Sequence, residues 1–400
     1  MVDAPASKAG AEQAWGFESP LRHHRLTIRF RDIVLMLPRL DGAIFLRSRP
    51  MQKPASLSDW FGSNTPASYG DARAEYTALR RGAVVFDMST LGKLRITGGD
   101  RIAYLQGQLS QDIMPLQEAG CGAYSCLLKP TGQMLSDMVL FSTGDAIVVL
   151  TPPQTRRTVQ ERLEQFVIME DVEIEDITES HVLLHVAGPL SASRLEPFGV
   201  AGALPLWYGR EITWQECPLY VVRTDRCGEQ GYDLLAPAES ASELRQALLD
   251  AGVQPAGIEA FNVRRVEAGI PLFGVDMDES TIPLEAGLGE RAISFTKGCY
   301  TGQEVIHRIF SRGHTNRSLV GLRLLAEVLP PYGALISAGD RRDAGWVTSA
   351  VRSPSLGAVI ALGYLRNEYT ASGTGVVVQH ESSPIEAQVV PLPFVEPSRA

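Results

Sequence analysis

Cysteine is scarce in this chain. Its five residues among 400, Cys121, Cys126, Cys217, Cys227 and Cys299, are odd in number and scattered, with no Cys-x-x-Cys pair. That excludes a disulfide framework and a zinc ribbon, and it fits a reducing, cytoplasmic setting. Long apolar runs are also missing. The longest, at residues 33–37 and 358–362, are strand-length, whereas a membrane helix needs roughly 20 residues. There is no excess of positive charge: 37 basic residues face 46 acidic ones, for a net charge of −9. Neither nucleic acid nor an anionic membrane is therefore expected as a partner. No Walker loop, Rossmann glycine fingerprint or Gly-x-Ser-x-Gly elbow is present. The histidines do not assemble either. His307 and His314 follow Cys299 at no standard zinc spacing, and His181 and His185 alternate within one strand-like run. No metal site is expected.

Four hundred residues exceed one ordinary core, so two or three packed domains are expected. Residues 1–54 read as an atypical extension: the first fifty carry eight Lys or Arg against five acids, with no clean period before residue 33. A disordered extension, an Arg-rich targeting peptide and a start called too early, with Met51 as the true beginning, are the three readings; the last is favoured. Coherent patterning begins at Asp71, which can N-cap a helix reaching Arg80, with Gly82 ending it. Strands are expected at residues 83–87, 93–96, 122–128, 133–141 and 146–150, with Gly98-Gly99-Asp100 opening a helix after the second. A helix over 154–168, strands at 172–177, 181–186, 219–223 and 232–235, and helices over 239–249 and 258–268 follow. That rhythm predicts an α+β fold with ferredoxin-like layers. After Asn316 helical signals vanish. Short strands punctuated by Gly and Pro predict a small β-barrel or sandwich.

Two places carry chemistry in their own right. In Lys297-Gly298-Cys299-Tyr300-Thr301-Gly302-Gln303-Glu304 a thiol follows a lysine and precedes a helix-compatible segment. A nearby ammonium and a helix N-terminus would both favour thiolate. Gly298 and Gly302 would allow close backbone approach to a ligand or partner. The alternative is a structural cysteine in a glycine-rich turn. In the strand over 133–141, alternation puts Asp137 on one face with Leu135, Val139 and Phe141. Burial there would raise its pKa and suit it to exchange a proton with an amine or pterin nitrogen. The alternative is a carboxylate satisfied by neighbouring backbone N–H groups.

The run Lys-Gly-Cys-Tyr-x-Gly-Gln-Glu, with Tyr104 to Asp112, Gly231-Tyr232, Arg265 to Pro271 and Ile282 to Glu285, resembles the YgfZ branch of the folate-binding, glycine-cleavage T-protein superfamily. The resemblance covers roughly residues 71–391. It implies a three-domain ring around a folate-sized hole, with residues 55–310 as two interleaved α+β domains and 317–395 as a C-terminal β-barrel. It also implies a tetrahydrofolate-binding accessory protein of iron–sulfur cluster assembly or repair, acting through Cys299, with cluster clients or assembly proteins as partners. Gly132 to Asp137 is similar to the T-protein motif Gly-Gly-x-x-Asp-Asp, whose second aspartate is catalytic, and Asp137 matches it. That match implies the alternative, a tetrahydrofolate-dependent aminomethyltransferase or demethylase. Two departures stand: Ser136 replaces the first aspartate, and Ile147 occupies the place of an aromatic. Gly228 to Asp233 is similar to Gly-Glu-x-Gly-aromatic-Glu, so Asp233 would read the pterin, beside Tyr232. Arg265 matches an arginine near the folate, where it would pair with a folate carboxylate or orient Asp137. Lys297, Gly298, Gly302 and Gln303 complete the expected binding set.

Overall fold

The computed structural model describes residues 60–61, 65–200, 202, 204–381 and 383–398. The atypical extension at 1–54 lies outside these described residues. No helix among the described residues is long and apolar enough to cross a membrane.

The α+β region begins as the sequence predicts. Asp71 Oδ1 accepts from Arg73 N at 2.9 Å and starts the helix Ala72–Arg81. The strands that follow are β1 (Val84–Asp87), β2 (Gly92–Thr97), β3 (Gly122–Leu128), β4 (Met134–Ser142), β5 (Ile147–Thr151), β6 (Glu173–Asp176), β7 (His181–Ala187), β8 (Gly209–Trp214), β9 (Cys217–Thr224), β10 (Gly231–Pro237) and β11 (Gln254–Pro255). They form two sheets. One is antiparallel in the order β3-β4-β5-β2-β6; the other runs β11-β1-β7-β10-β9-β8, parallel only between β1 and β11. β8 lies in a stretch for which the sequence suggested no strand.

The two sheets share an apolar layer. Val139, Phe141, Val148 and Leu150 from the first meet Leu183, Tyr220, Val222 and Leu235 from the second. Period-two alternation sends the other set of side chains outward, where helices cover them. Leu105, Val159 and Leu163 pack on Met138, Leu140 and Val149, and Leu244 and Leu248 pack on Leu184, Val186 and Leu234. The helix expected over 154–168 is shorter, Arg156–Glu164. Beyond it Phe166, Ile168 and Met169 are exposed, so no buried stripe holds another turn.

The C-terminal part closes into a six-stranded barrel. Its strands are β12 (Arg317–Leu324), β13 (Leu335–Ala338), β14 (Arg341–Ser353), β15 (Ala358–Arg366), β16 (Gly375–Val378) and β17 (Ile385–Val390), ordered β12-β15-β14-β13-β16-β17. Closure removes the open edges that β12 and β17 would otherwise expose.

One helix, Ile258–Glu267, ties these parts together through buried charges. Arg264 donates to Glu229 at 2.6 Å and to the Gly228 carbonyl at 3.0 Å. Arg265 pairs with Asp276 and donates to Ser349 of β14 at 2.7 Å. Glu267 accepts from Tyr76 at 2.6 Å and from Ser353. Removing one partner of such a buried pair strands the other charge, at about 3–5 kcal/mol.

Candidate active site around Asp137

Asp137 sits on β4, facing the layer between the sheets, and is 7% exposed. Its Oδ2 accepts from the Tyr124 hydroxyl at 2.6 Å, while Oδ1 is buried without a hydrogen-bond partner. Burial pushes its pKa up, against the Tyr124 hydrogen bond and the positive fields of Arg226 and Arg291. The expected shared face needs one correction. Leu127 pairs with Ser136 but Leu128 with Met134, so Leu135 is the extra residue of a β-bulge. Leu135 consequently packs with the Met138 and Leu140 cluster on the opposite face. Bulges re-aim side chains in this way, often beside active sites.

The groups around Asp137 come from distant segments. Tyr124 stacks on Trp207, with ring centroids 5.9 Å apart. Trp207 has a left-handed backbone, φ 65°, which a bulky residue seldom adopts. The Arg291 guanidinium lies 5.1 Å from both ring centroids and is held by the Asp225 carboxylate, at 3.0 Å to Oδ2. Ile147 instead points into the helix-side core with Leu105 and Leu109. The aromatic missing at that position thus leaves the Tyr124–Trp207 pair untouched. Ser136 Oγ lies 3.0 Å from Thr151 and 2.7 Å from Thr155, in a buried hydroxyl group of its own. Sequence reasoning missed Tyr124, Trp207, Arg291, Asp225 and Arg226. Of these only Tyr124 left a readable signal, as a polar aromatic alternating with Cys126 on the strand expected just before that of Asp137.

Asp233 is buried and fully engaged. Its Oδ1 accepts from His185 Nδ1 at 2.8 Å and Thr224 Oγ1 at 3.2 Å, and Arg226 Nε reaches Oδ1 and Oδ2 at 3.0 and 2.8 Å. Gly231 leaves room for the His185 ring, which a Cβ there would approach to 2.5 Å. Burial alone would raise the Asp233 pKa; Arg226 and His185 overcome it and hold the carboxyl well below the usual range. Within the fold the Asp233 carboxylate thus meets Arg226 and His185, a guanidinium and an imidazole. Tyr232 is fully buried on the other face of β10, in the cluster with Leu184 and Leu244. Arg265 spends its guanidinium on Asp276, Asn262, Ser349 and the Ile270 carbonyl rather than on Asp137. Its place on a buried helix between sheet and barrel fixes that choice.

In the second candidate segment Cys299 is exposed. Lys297 does not serve it. Its Nζ donates to the carbonyls of Gln106, Leu109 and Gln111 at 2.7, 2.7 and 2.8 Å, at the end of the helix Arg101–Gln108. Burial lowers its pKa to about 8. Gly302 has φ +84° and its Cα is so close to the Lys129–Gly132 turn that a Cβ would lie 2.7 Å from the Lys129 carbonyl. Gly298 is exposed, and Gln303 begins the helix Gln303–Arg312, its Nε2 3.4 Å from His307. The segment thus packs against the β3–β4 turn.

Comparison with known proteins fixes the family. Residues 46–297 match the GCVT N-terminal domain, and residues 317–396 match the glycine cleavage T-protein C-terminal barrel domain. This chain belongs to the glycine-cleavage T-protein superfamily. The aminomethyltransferase of Rubrobacter xylanophilus is 34% identical over 348 residues, spanning 86% of this chain and 92% of its own length. That of a Nostoc species is 31% identical over 356 residues, spanning 86% and 93%. The crystal structure of glycine cleavage system aminomethyltransferase T from Bartonella henselae superposes with a TM-score of 0.77 at 26% identity, over 84% of this chain and 92% of that one. T-protein kinship therefore stands in the fold and in these relatives. Their names carry no sign of the narrower YgfZ branch.

Proposed function

We propose that this T-protein superfamily member binds tetrahydrofolate and transfers an aminomethyl-borne one-carbon unit to it, with Asp137 as the acid–base group. The observation that carries this reading is the orphaned Oδ1 of a buried carboxylate whose pKa is raised. A reduced pterin fits such a group: it offers N–H donors to a free carboxylate oxygen and a flat face to the Tyr124–Trp207 pair. When bound, the folate would supply a ring amine that forms the new bond to the one-carbon unit as that carbon's bond to its donor breaks, the donor leaving with the bonding pair and the attacking amine giving up a proton. Asp137 accepts that proton at Oδ1, while Tyr124 on Oδ2 holds the carboxyl plane. A base whose pKa approaches the working pH is better suited to both accepting and returning a proton. Arg291, fixed by Asp225, keeps both rings in place through their faces. In this reading residues 55–310 form the folate-binding region and 317–395 the barrel domain.

The names of the relatives, aminomethyltransferase, support the same chemistry. The reading as an accessory of iron–sulfur cluster assembly rests on the motif around Cys299, and neither the relatives' names nor the thiol's surroundings add to it. The test is Asp137→Asn in an assay of aminomethyl transfer to tetrahydrofolate. Loss of an acid–base group lowers kcat by about 10²–10⁴-fold. Turnover within threefold of the parent chain's would exclude Asp137 from the reaction.

A further inference from the structure

The Lys-Gly-Cys-Tyr run sends inward not its cysteine but its tyrosine. Tyr300 is 6% exposed, packed among Cys126, Leu128, Met134, Phe273, Met277 and Ile306. Its hydroxyl has no hydrogen-bond partner. Native proteins leave few buried polar groups unpaired, and those that remain call for a reason. The ring is held in place, since Lys297 Nζ lies 5.2 Å from its centroid and is itself tied to three carbonyls. Burial raises the hydroxyl's pKa to about 12, with Cys126 as the next contributor, so the group stays a donor at neutral pH.

Cys126 also links Tyr300 to Asp137. It is the cross-strand partner of Asp137 and lies two residues along β3 from Tyr124, the donor to Asp137. Two buried, unpaired polar atoms therefore neighbour one residue: a hydroxyl able to donate and a carboxylate oxygen able to accept. A ligand that satisfies both carries a donor and an acceptor on one rigid frame, as the fused ring of a reduced pterin does.

We propose that Tyr300 is a second ligand-binding residue of the Asp137 site, its hydroxyl donating to a polar atom of the bound folate, and that Lys297 serves to position it. This rests on the tetrahydrofolate reading above. The experiment is a calorimetric titration of the full chain with tetrahydrofolate, alongside thermal melts, for the parent chain, Tyr300→Phe and Cys299→Ala. Tyr300→Phe removes a hydroxyl that bonds no other group of the protein, so its melting temperature should hold or rise while Kd rises about tenfold, the worth of one neutral hydrogen bond. Cys299→Ala should leave Kd unchanged. A parent chain that binds and a Tyr300→Phe variant that binds equally well would overturn this proposal alone. A melting temperature lowered by several degrees in Tyr300→Phe would also overturn it, by showing the hydroxyl already bonded within the fold. A parent chain that binds no tetrahydrofolate would remove the functional reading and this inference together.

Discussion

Two aspartates, one on each sheet, show how far surroundings can separate identical side chains. Asp137 on the five-stranded sheet keeps one oxygen free and has a raised pKa; Asp233 on the six-stranded sheet has both oxygens filled and a lowered one. Both are buried. The difference lies in their partners, a neutral phenol for Asp137 against a guanidinium and an imidazole for Asp233. A carboxylate already saturated by the protein can brace a sheet, and one with an unfilled oxygen can meet a substrate. Environments that push pKa values apart in this way separate chemical roles.

The largest effect expected from breaking this contrast is at Asp137. With Asn there, transfer should fall by about 10²–10⁴-fold, while the melting temperature at neutral pH holds or rises because a buried charge has been removed. The sign follows from linkage. A carboxyl with a raised folded pKa weighs against the fold above that value, and the penalty disappears as pH falls to the ordinary aspartate range near 3.9. Melts of Asp137→Asn and parent chain should therefore differ most at high pH and converge in acid. In the parent chain, kcat/KM should rise with pH through a value above the usual aspartate range.

Asp233→Ala should do the reverse. Leaving Arg226 and His185 without their carboxylate should destabilise the fold by about 3–5 kcal/mol in a denaturant titration. Asp233 has a lowered folded pKa, so its stabilisation is present above the ordinary aspartate value and is lost as pH falls through the folded one.

A smaller loss, about 1–3 kcal/mol, is expected for Lys297→Met, which leaves the carbonyls of Gln106, Leu109 and Gln111 without their donor. The smallest effect belongs to Cys299→Ala. An exposed thiol whose neighbouring lysine is spent elsewhere should change transfer by less than twofold, and a tenfold fall would return the chemistry to the sulfur.

Much of this fold was legible because local rules agreed with it. The Asp71 cap, the strand expected over 133–141 and the loss of helical signal after Asn316 all correspond to observed elements. Asp137 could be found because a carboxylate alternating with Val139 and Phe141 breaks a strand's pattern. The bulge at Leu135 could not, since nothing in that residue marks an extra position in the pairing. Nor could the groups gathered near Asp137: Trp207 stacks on Tyr124, Arg291 lies over the same ring, and Arg226 and Arg291 act on the carboxyl through their positive fields, all brought there by long connections. The Lys297 and Cys299 pairing suggested by proximity in sequence gave way to contacts almost 190 residues apart, such as Lys297 to Leu109. Short polar spacings say which groups are near along the chain, and tertiary packing decides which of them meet.

The measurement that bears most directly on these two carboxylates is a carbon-13 NMR titration of the aspartate carboxyls, assigned with Asp137→Asn and Asp233→Asn. The expected result is an Asp137 signal that titrates above the usual aspartate range and an Asp233 signal that stays ionised well below it. Two signals titrating together, or Asp137 ionising below Asp233, would contradict the division of roles between them.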